Sequence, residues 1–182
     1  MPMKSRINNL LKWAGIISAI IFLALKYFKG AENIWDYGGL AGEAAGYSSI
    51  LVLLYEKWIW RYNPLIKIPK LKKEYSGLLK YNYDNIPGEK DIDIIISQTL
   101  TNINIIIKTD EITSNSITSE LIEENNQYVL YYTYLTQPKS QFSDKNPMQY
   151  GSSKLCIDNE DEFHGIYWTT RETKGDIYFK SI

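Results

Sequence analysis

Residues 91–109 read DIDIIISQTLTNINIIIKT, and Ile92, Ile94, Ile96, Ile103, Ile105 and Ile107 fall on alternate positions. Successive side chains on a strand point to opposite faces, so this spacing predicts strands with one apolar face turned to a core. The same period continues upstream in YSGLLKYNY, where Tyr75, Gly77, Leu79, Tyr81 and Tyr83 share a face. It continues downstream in SITSELIEE, QYVLYYTYLT, YGSSKLCI, EFHGIYWTTR and TKGDIYFKSI. Turn-forming clusters such as IPGEK, EENN, SDKNP and DNEDE separate several of these runs, and the last two join across RETKG. Residues 74–182 therefore predict eight strands and no helix. Short strands in this number predict a small eight-stranded antiparallel up-and-down β-barrel, which abolishes sheet edges and encloses space for one small ligand. A flattened sandwich is the alternative. Tyr131 and Tyr132 are adjacent and must face opposite ways, so at least one row of tyrosines points inward. There it offers flat faces for stacking and hydroxyls for hydrogen bonds.

The first part of the chain is a different material. Residues 1–73 carry 11 Lys/Arg against 4 Asp/Glu, and residues 74–182 carry 9 against 17. WAGIISAIIFLAL, between Lys12 and Lys26, spans only ~20 Å at helical rise. Extended from Ile7 to Phe28, with the lysines snorkelling, it reaches the ~30 Å of a bilayer core. No clear small-residue cleavage site follows, so an uncleaved span is expected. A second span runs from about Tyr37 to Tyr55 with Glu43 as its sole charge, followed by Trp58, Trp60 and Tyr62 as an interfacial aromatic belt. The short connector KGAENIWD makes the pair a hairpin. The expected organisation is a transmembrane hairpin over residues 1–62, a basic linker over 63–73 and a barrel over 74–182. Lysines and arginines flank both outer ends, so the positive-inside rule places both termini in the cytoplasm.

Gly38, Gly42 and Gly46 recur every four residues, and Ser49 continues nearly the same face. Such a stripe lets helix backbones approach closely in lipid. Two uses fit it equally: packing the second helix on the first with Glu43 snorkelling outward, or building a multi-subunit assembly with Glu43 facing a polar interior. One cysteine, Cys156, and one histidine, His164, leave almost no material for a zinc site, a disulfide or a Cys/His catalytic pair. No phosphate-binding loop or nucleophile–base pairing is evident, so neither a catalytic group nor a cofactor is expected. The acidity of residues 74–182 argues against DNA or RNA as a polymer ligand. Arg171 is the only arginine after Arg61, with Thr169, Thr170 and Thr173 beside it. A guanidinium fork there suits a phosphate; the plainer reading is a surface hairpin in which it pairs with Glu172 or Asp176.

The helix hairpin, the NP…IP connector before the first strand, and the terminal hairpin YWTTRETKGDIYF together resemble a known family over nearly the full length. The chain is similar to the membrane effectors of CBASS (cyclic-oligonucleotide-based antiphage signalling) that carry two transmembrane helices and a minimal β-barrel. That resemblance implies a receptor in the bacterial inner membrane. Its barrel would bind a cyclic dinucleotide made by a partner nucleotidyltransferase after phage infection, and binding would drive homo-oligomerisation, bilayer disruption and death of the infected cell. Chemistry and resemblance together nominate Arg171, Thr169, Thr173, Tyr75, Tyr81 and Tyr132 for the ligand, and Gly38, Gly42, Gly46 and Glu43 for assembly in the membrane. The rival readings are a membrane-tethered, lipocalin-like carrier of an apolar ligand and an envelope scaffold that binds nothing.

Overall fold

The computed structural model describes residues 3–83 and 86–182, with the side chains of Met3 and Tyr83 outside the description; the expected inward placement of Tyr83 falls there. The chain divides into two compact units, one of Lys4–Lys67 with Thr99–Thr101, the other of Ile68–Gln98 with Asn102–Ile182.

The second unit is a closed barrel of eight antiparallel strands in sequential order. They are β1 (Glu74–Tyr83), β2 (Ile86–Gln98), β3 (Ile103–Lys108), β4 (Ile112–Glu124), β5 (Gln127–Pro138), β6 (Gln149–Ile157), β7 (Glu162–Thr169) and β8 (Lys174–Ser181). All eight predicted strands form. One predicted turn does not: Ile86–Lys90, the IPGEK cluster, pairs with β1 as the first part of β2. The β4–β5 hairpin turns on Asn125 and Asn126, at φ 49° and 65°, the left-handed pair that matches the twist of flanking strands. β4 shifts register against β5 between Ser116 and Thr118, and its ladder with β3 is the shortest in the barrel, with three paired positions. Hydroxyls stitch it: Ser116 Oγ accepts from the Ile105 amide at 2.9 Å, and Ser119 Oγ donates to the Ile103 carbonyl.

Inward residues fill the barrel unevenly. Around the start of β1 and the ends of β2, β6 and β8, the interior is solid. Tyr75 packs edge-on against Phe163 at 4.7 Å, and Phe163 lies 5.0 Å from Phe179, with Ile94, Leu121, Leu130 and Leu155 fully buried. The connector caps this end. Leu71 is 1% exposed; its amide donates to Gln98 Oε1, and Gln98 Nε2 donates to the Pro69 carbonyl, both at 2.9 Å. The opposite half is hollow.

In the first unit, α1 (Met3–Lys29) and α2 (Ile34–Lys57) are joined by a short turn. Gly30 ends α1 at φ 72°, and Asn33 caps α2 in a reciprocal capping box with Asp36. By length and composition α1, with hydropathy 1.7 over Lys4–Lys29, is the one helix among the described residues apolar enough to cross a membrane. The glycines and Glu43 dilute α2. Leu40, Ala44 and Ser48 form the buried stripe of α2, while nothing lies within 4 Å of a Cβ placed on Gly38, Gly42 or Gly46. The glycine face thus does not pack α2 against α1, as one of the two readings had it. At 3.6 residues per turn it looks away from the buried stripe. Glu43 lies between the two faces and takes Lys29 Nζ at 2.6 Å. Of the three residues expected in an interfacial aromatic belt, Trp60 is fully buried in a 3₁₀ turn, whereas Trp58 and Tyr62 are exposed.

Candidate functional site

The hollow half of the barrel holds a cavity of about 340 Å³, within the range of small-molecule sites. Its wall begins with one cross-strand row. Tyr132 on β5 stands opposite Ser153 on β6, Ser153 opposite Tyr167 on β7, Tyr167 opposite Gly175 on β8, Gly175 opposite Tyr81 on β1, and Tyr81 opposite Gly88 on β2. Large and small residues alternate, which lets three phenol rings share one layer of a narrow barrel. The next row sets Tyr134 against Gly151 and Gly151 against Thr169. A Cβ on Gly88 would sit 2.4 Å from the Tyr81 ring, and one on Gly151 2.3 Å from the Tyr134 ring. The glycines are the floor on which those rings lie. Tyr132 and Tyr134 are 5.6 Å apart and tilted, an aromatic corner suited to a planar group.

Two polar atoms in this wall are buried without a hydrogen-bond partner: the Tyr132 hydroxyl and Gln149 Oε1. Ser153 Oγ, beside Tyr132, donates instead to the Ile166 carbonyl at 2.9 Å. A buried polar atom left unpaired costs about 1–3 kcal/mol, so both mark places a ligand's own polar groups can fill. Burial pushes the phenols of Tyr132, Tyr134 and Tyr167 far above their ordinary range, so all three stay protonated donors.

Charge enters at the rim. Arg171, in the β7–β8 turn, lines the cavity with Thr169 and Thr173. The turn is shaped by Glu172 at φ 62°, by the Thr169 amide donating to Thr173 O, and by the Arg171 amide donating to Thr169 Oγ1. Arg171 Nη1 reaches the Lys145 carbonyl at 3.4 Å. Lys145 and Asn146 belong to the β5–β6 connection and also line the cavity, as does Lys90. Lys90 shares the inward parity of Ile92, Ile94 and Ile96, and the register Asp93↔Lys108 carried three residues further brings Glu111 opposite it. The two meet at 3.0 Å.

Five of the six nominated ligand residues, Arg171, Thr169, Thr173, Tyr81 and Tyr132, converge on this one cavity. Tyr75 does not. It belongs to the filled end, where its hydroxyl donates to the Glu160 carbonyl and accepts from the Lys72 amide, both at 2.7 Å. Sequence reasoning passed over Tyr134, Tyr167, Gln149, Lys145, Lys90 and Glu111. Parity alone reaches Tyr134 from Tyr132 and Lys90 from Ile92. Among the described residues no group of His, Cys, Asp and Glu could hold a metal.

Residues 66–181 match the family model described as Cap15, cyclic dinucleotide receptor domain. The chain is also 36% identical, over 186 residues covering 99% of this chain and 100% of the other, to CD-NTase-associated protein 15 of Staphylococcus schleiferi. The chain therefore belongs to the Cap15 family of CBASS effectors, and the barrel with its tyrosine-walled cavity is the part that corresponds to the family's receptor domain.

Proposed function

We propose that this protein is an antiphage effector whose barrel binds a cyclic dinucleotide from a cognate nucleotidyltransferase, and whose helices turn that binding into disruption of the inner membrane. The observation that carries the reading is the cavity itself. Aromatic rings, unpartnered polar atoms at Tyr132 and Gln149, and rim cations Lys90, Lys145 and Arg171 are what a ligand of bases, riboses and phosphates requires. An apolar cargo would leave the buried Tyr132 hydroxyl and Gln149 Oε1 unanswered, which disfavours the carrier reading. The barrel acts as a receptor and not as a catalyst.

The hydropathy of α1 supports insertion in the bilayer, with α2 as the second crossing and both termini cytoplasmic. The Lys29 partner lowers the cost of carrying Glu43 there. Gly38, Gly42 and Gly46, open in the single chain, are the surface along which ligand-bound subunits assemble. The ligand can drive this only by binding the assembled form more tightly than the resting one.

Calorimetric titration of the detergent-solubilised full chain with cyclic di-adenylate, di-guanylate, adenylate–guanylate and di-uridylate tests the receptor claim. At least one should bind at micromolar Kd or tighter, about −8 kcal/mol. Flat titrations throughout a broader panel of cyclic dinucleotides would end it.

A further inference from the structure

The helical unit does not consist of helices alone: Thr99–Thr101, the turn between β2 and β3, is part of it. From Lys4 onward the chain therefore passes between the two units at three points, Lys67 to Ile68, Gln98 to Thr99 and Thr101 to Asn102. A lone flexible linker would let one unit change without the other responding. Here the turn is pinned inside the helical unit from both helices. On α2, the Glu56 carbonyl accepts from the Leu100 amide at 3.1 Å. Glu56 Oε1 accepts twice from Thr101, from Oγ1 at 2.7 Å and from the amide at 3.4 Å. On α1, Arg6 Nη1 donates to the Leu100 carbonyl at 3.3 Å. Leu100 and Arg6 are each 5% exposed, so water competes little for these bonds.

The barrel unit is braced in the same place. Gln98, the last residue before the turn, bonds the Leu71 amide and the Pro69 carbonyl, which ties the end of β2 to the connector. The Ile96 amide donates to the Lys73 carbonyl at 2.8 Å. From this braced end the two strands run to the ligand cavity, where β2 contributes Ile92 to the wall and β3 contributes Ile107. Between wall and turn they pair without interruption from Ile94↔Ile107 to Gln98↔Ile103, with Ile94, Ile96, Ile103 and Ile105 buried. A paired ribbon packed into a dense core bends little, so a displacement at its cavity end is delivered to the turn.

We infer that the β2–β3 hairpin is the element that couples the ligand cavity to the helices, with Glu56 and Thr101 as the pair through which the helices hold it. The inference rests on the receptor and effector readings proposed above. Glu56→Ala removes both side-chain bonds to Thr101 and leaves the backbone bond to Leu100; Thr101→Val removes the hydroxyl bond and keeps the shape. Calorimetry on the full chain in detergent should give both variants a cyclic dinucleotide affinity within about threefold of wild type. In cells that also make the nucleotidyltransferase, entry of an impermeant dye should fall by on the order of tenfold with either variant. Glu56→Gln keeps an acceptor oxygen for Thr101 and retains dye entry. The double variant loses no more than Glu56→Ala alone, because both substitutions act through one contact. A second measurement needs no variant, and so decides the matter even where Glu56→Ala fails to fold. In wild-type protein, saturating cyclic dinucleotide should change hydrogen exchange at the Leu100 and Thr101 amides by about threefold or more. Dye entry at the wild-type rate with both single variants, or Leu100 and Thr101 amides whose exchange is indifferent to ligand, overturns the coupling and leaves the receptor intact. Wild-type protein that binds no cyclic dinucleotide overturns the receptor reading itself.

Discussion

Tyr132 illustrates how a single side chain separates the demands of folding from those of binding. Its ring is 3% exposed and packs the wall of the barrel, yet its hydroxyl has no partner. Evolution toward stability alone would favour phenylalanine there, since a buried hydroxyl without a hydrogen bond costs about 1–3 kcal/mol. Tyr132→Phe should therefore leave the barrel as stable or raise it by up to ~1 kcal/mol in denaturant unfolding. Affinity for the cyclic dinucleotide should fall by roughly tenfold, the loss of one good hydrogen bond. Lower stability together with unchanged affinity would assign the hydroxyl a structural role. Tyr75 is the instructive contrast. It shares the inward parity of Tyr81, but its hydroxyl is satisfied twice within the filled end. Parity distinguishes inside from outside and says nothing about depth along the barrel, which is why sequence reading grouped the two.

At the scale of the strand, the glycines divide into two kinds that sequence spacing does not distinguish. A Cβ on Gly165 would lie 1.9 Å from the Lys154 carbonyl oxygen, and one on Gly175 1.8 Å from that of Lys80, so backbone blocks both. A Cβ on Gly151 would meet only the far end of the Tyr134 ring. Gly165→Ala should thus force strands apart and cost about 1–3 kcal/mol in thermal or chemical unfolding. Gly151→Ala should cost less and show itself in the site, because the Tyr134 ring must swing off its platform into the cavity. Equal destabilisation by the two substitutions would contradict this division. The strands themselves were legible because a half-buried strand writes its period of two into the chain, as in Ile92, Ile94 and Ile96. The beginning of β2 was not, because Pro87 and Gly88 carry turn chemistry while sitting in a ladder; Gly88 is there to make room for Tyr81. With IPGEK read as a turn, Lys90 lost its inward parity and Glu111 its partner. The cation–carboxylate pair of the site was thereby hidden, although both halves stand in plain view in the sequence.

At the scale of the whole molecule, the proposed function requires ligand binding in the barrel to act on lipid through the helices, and the helical unit constrains how. Its internal packing uses Leu40, Ala44 and Ser48, and leaves Gly38, Gly42 and Gly46 facing outward with nothing near them. A Cβ on that face has nothing within 4 Å, and leucine is a better helix former than glycine by up to ~1 kcal/mol. Gly42→Leu or Gly46→Leu should therefore leave the single chain folded and inserted, with cyclic dinucleotide affinity within about twofold of wild type. Assembly along the glycine face requires close backbone approach, which leucine blocks. Cells that make both the variant and the nucleotidyltransferase should then keep their membranes sealed to an impermeant dye, whereas cells with the wild-type chain admit it. With ligand affinity and insertion unchanged in the variant, a change in toxicity reports on contacts between subunits. Dye entry at the wild-type rate with either variant would remove the glycine face from the assembly and leave α1 as the surface to examine.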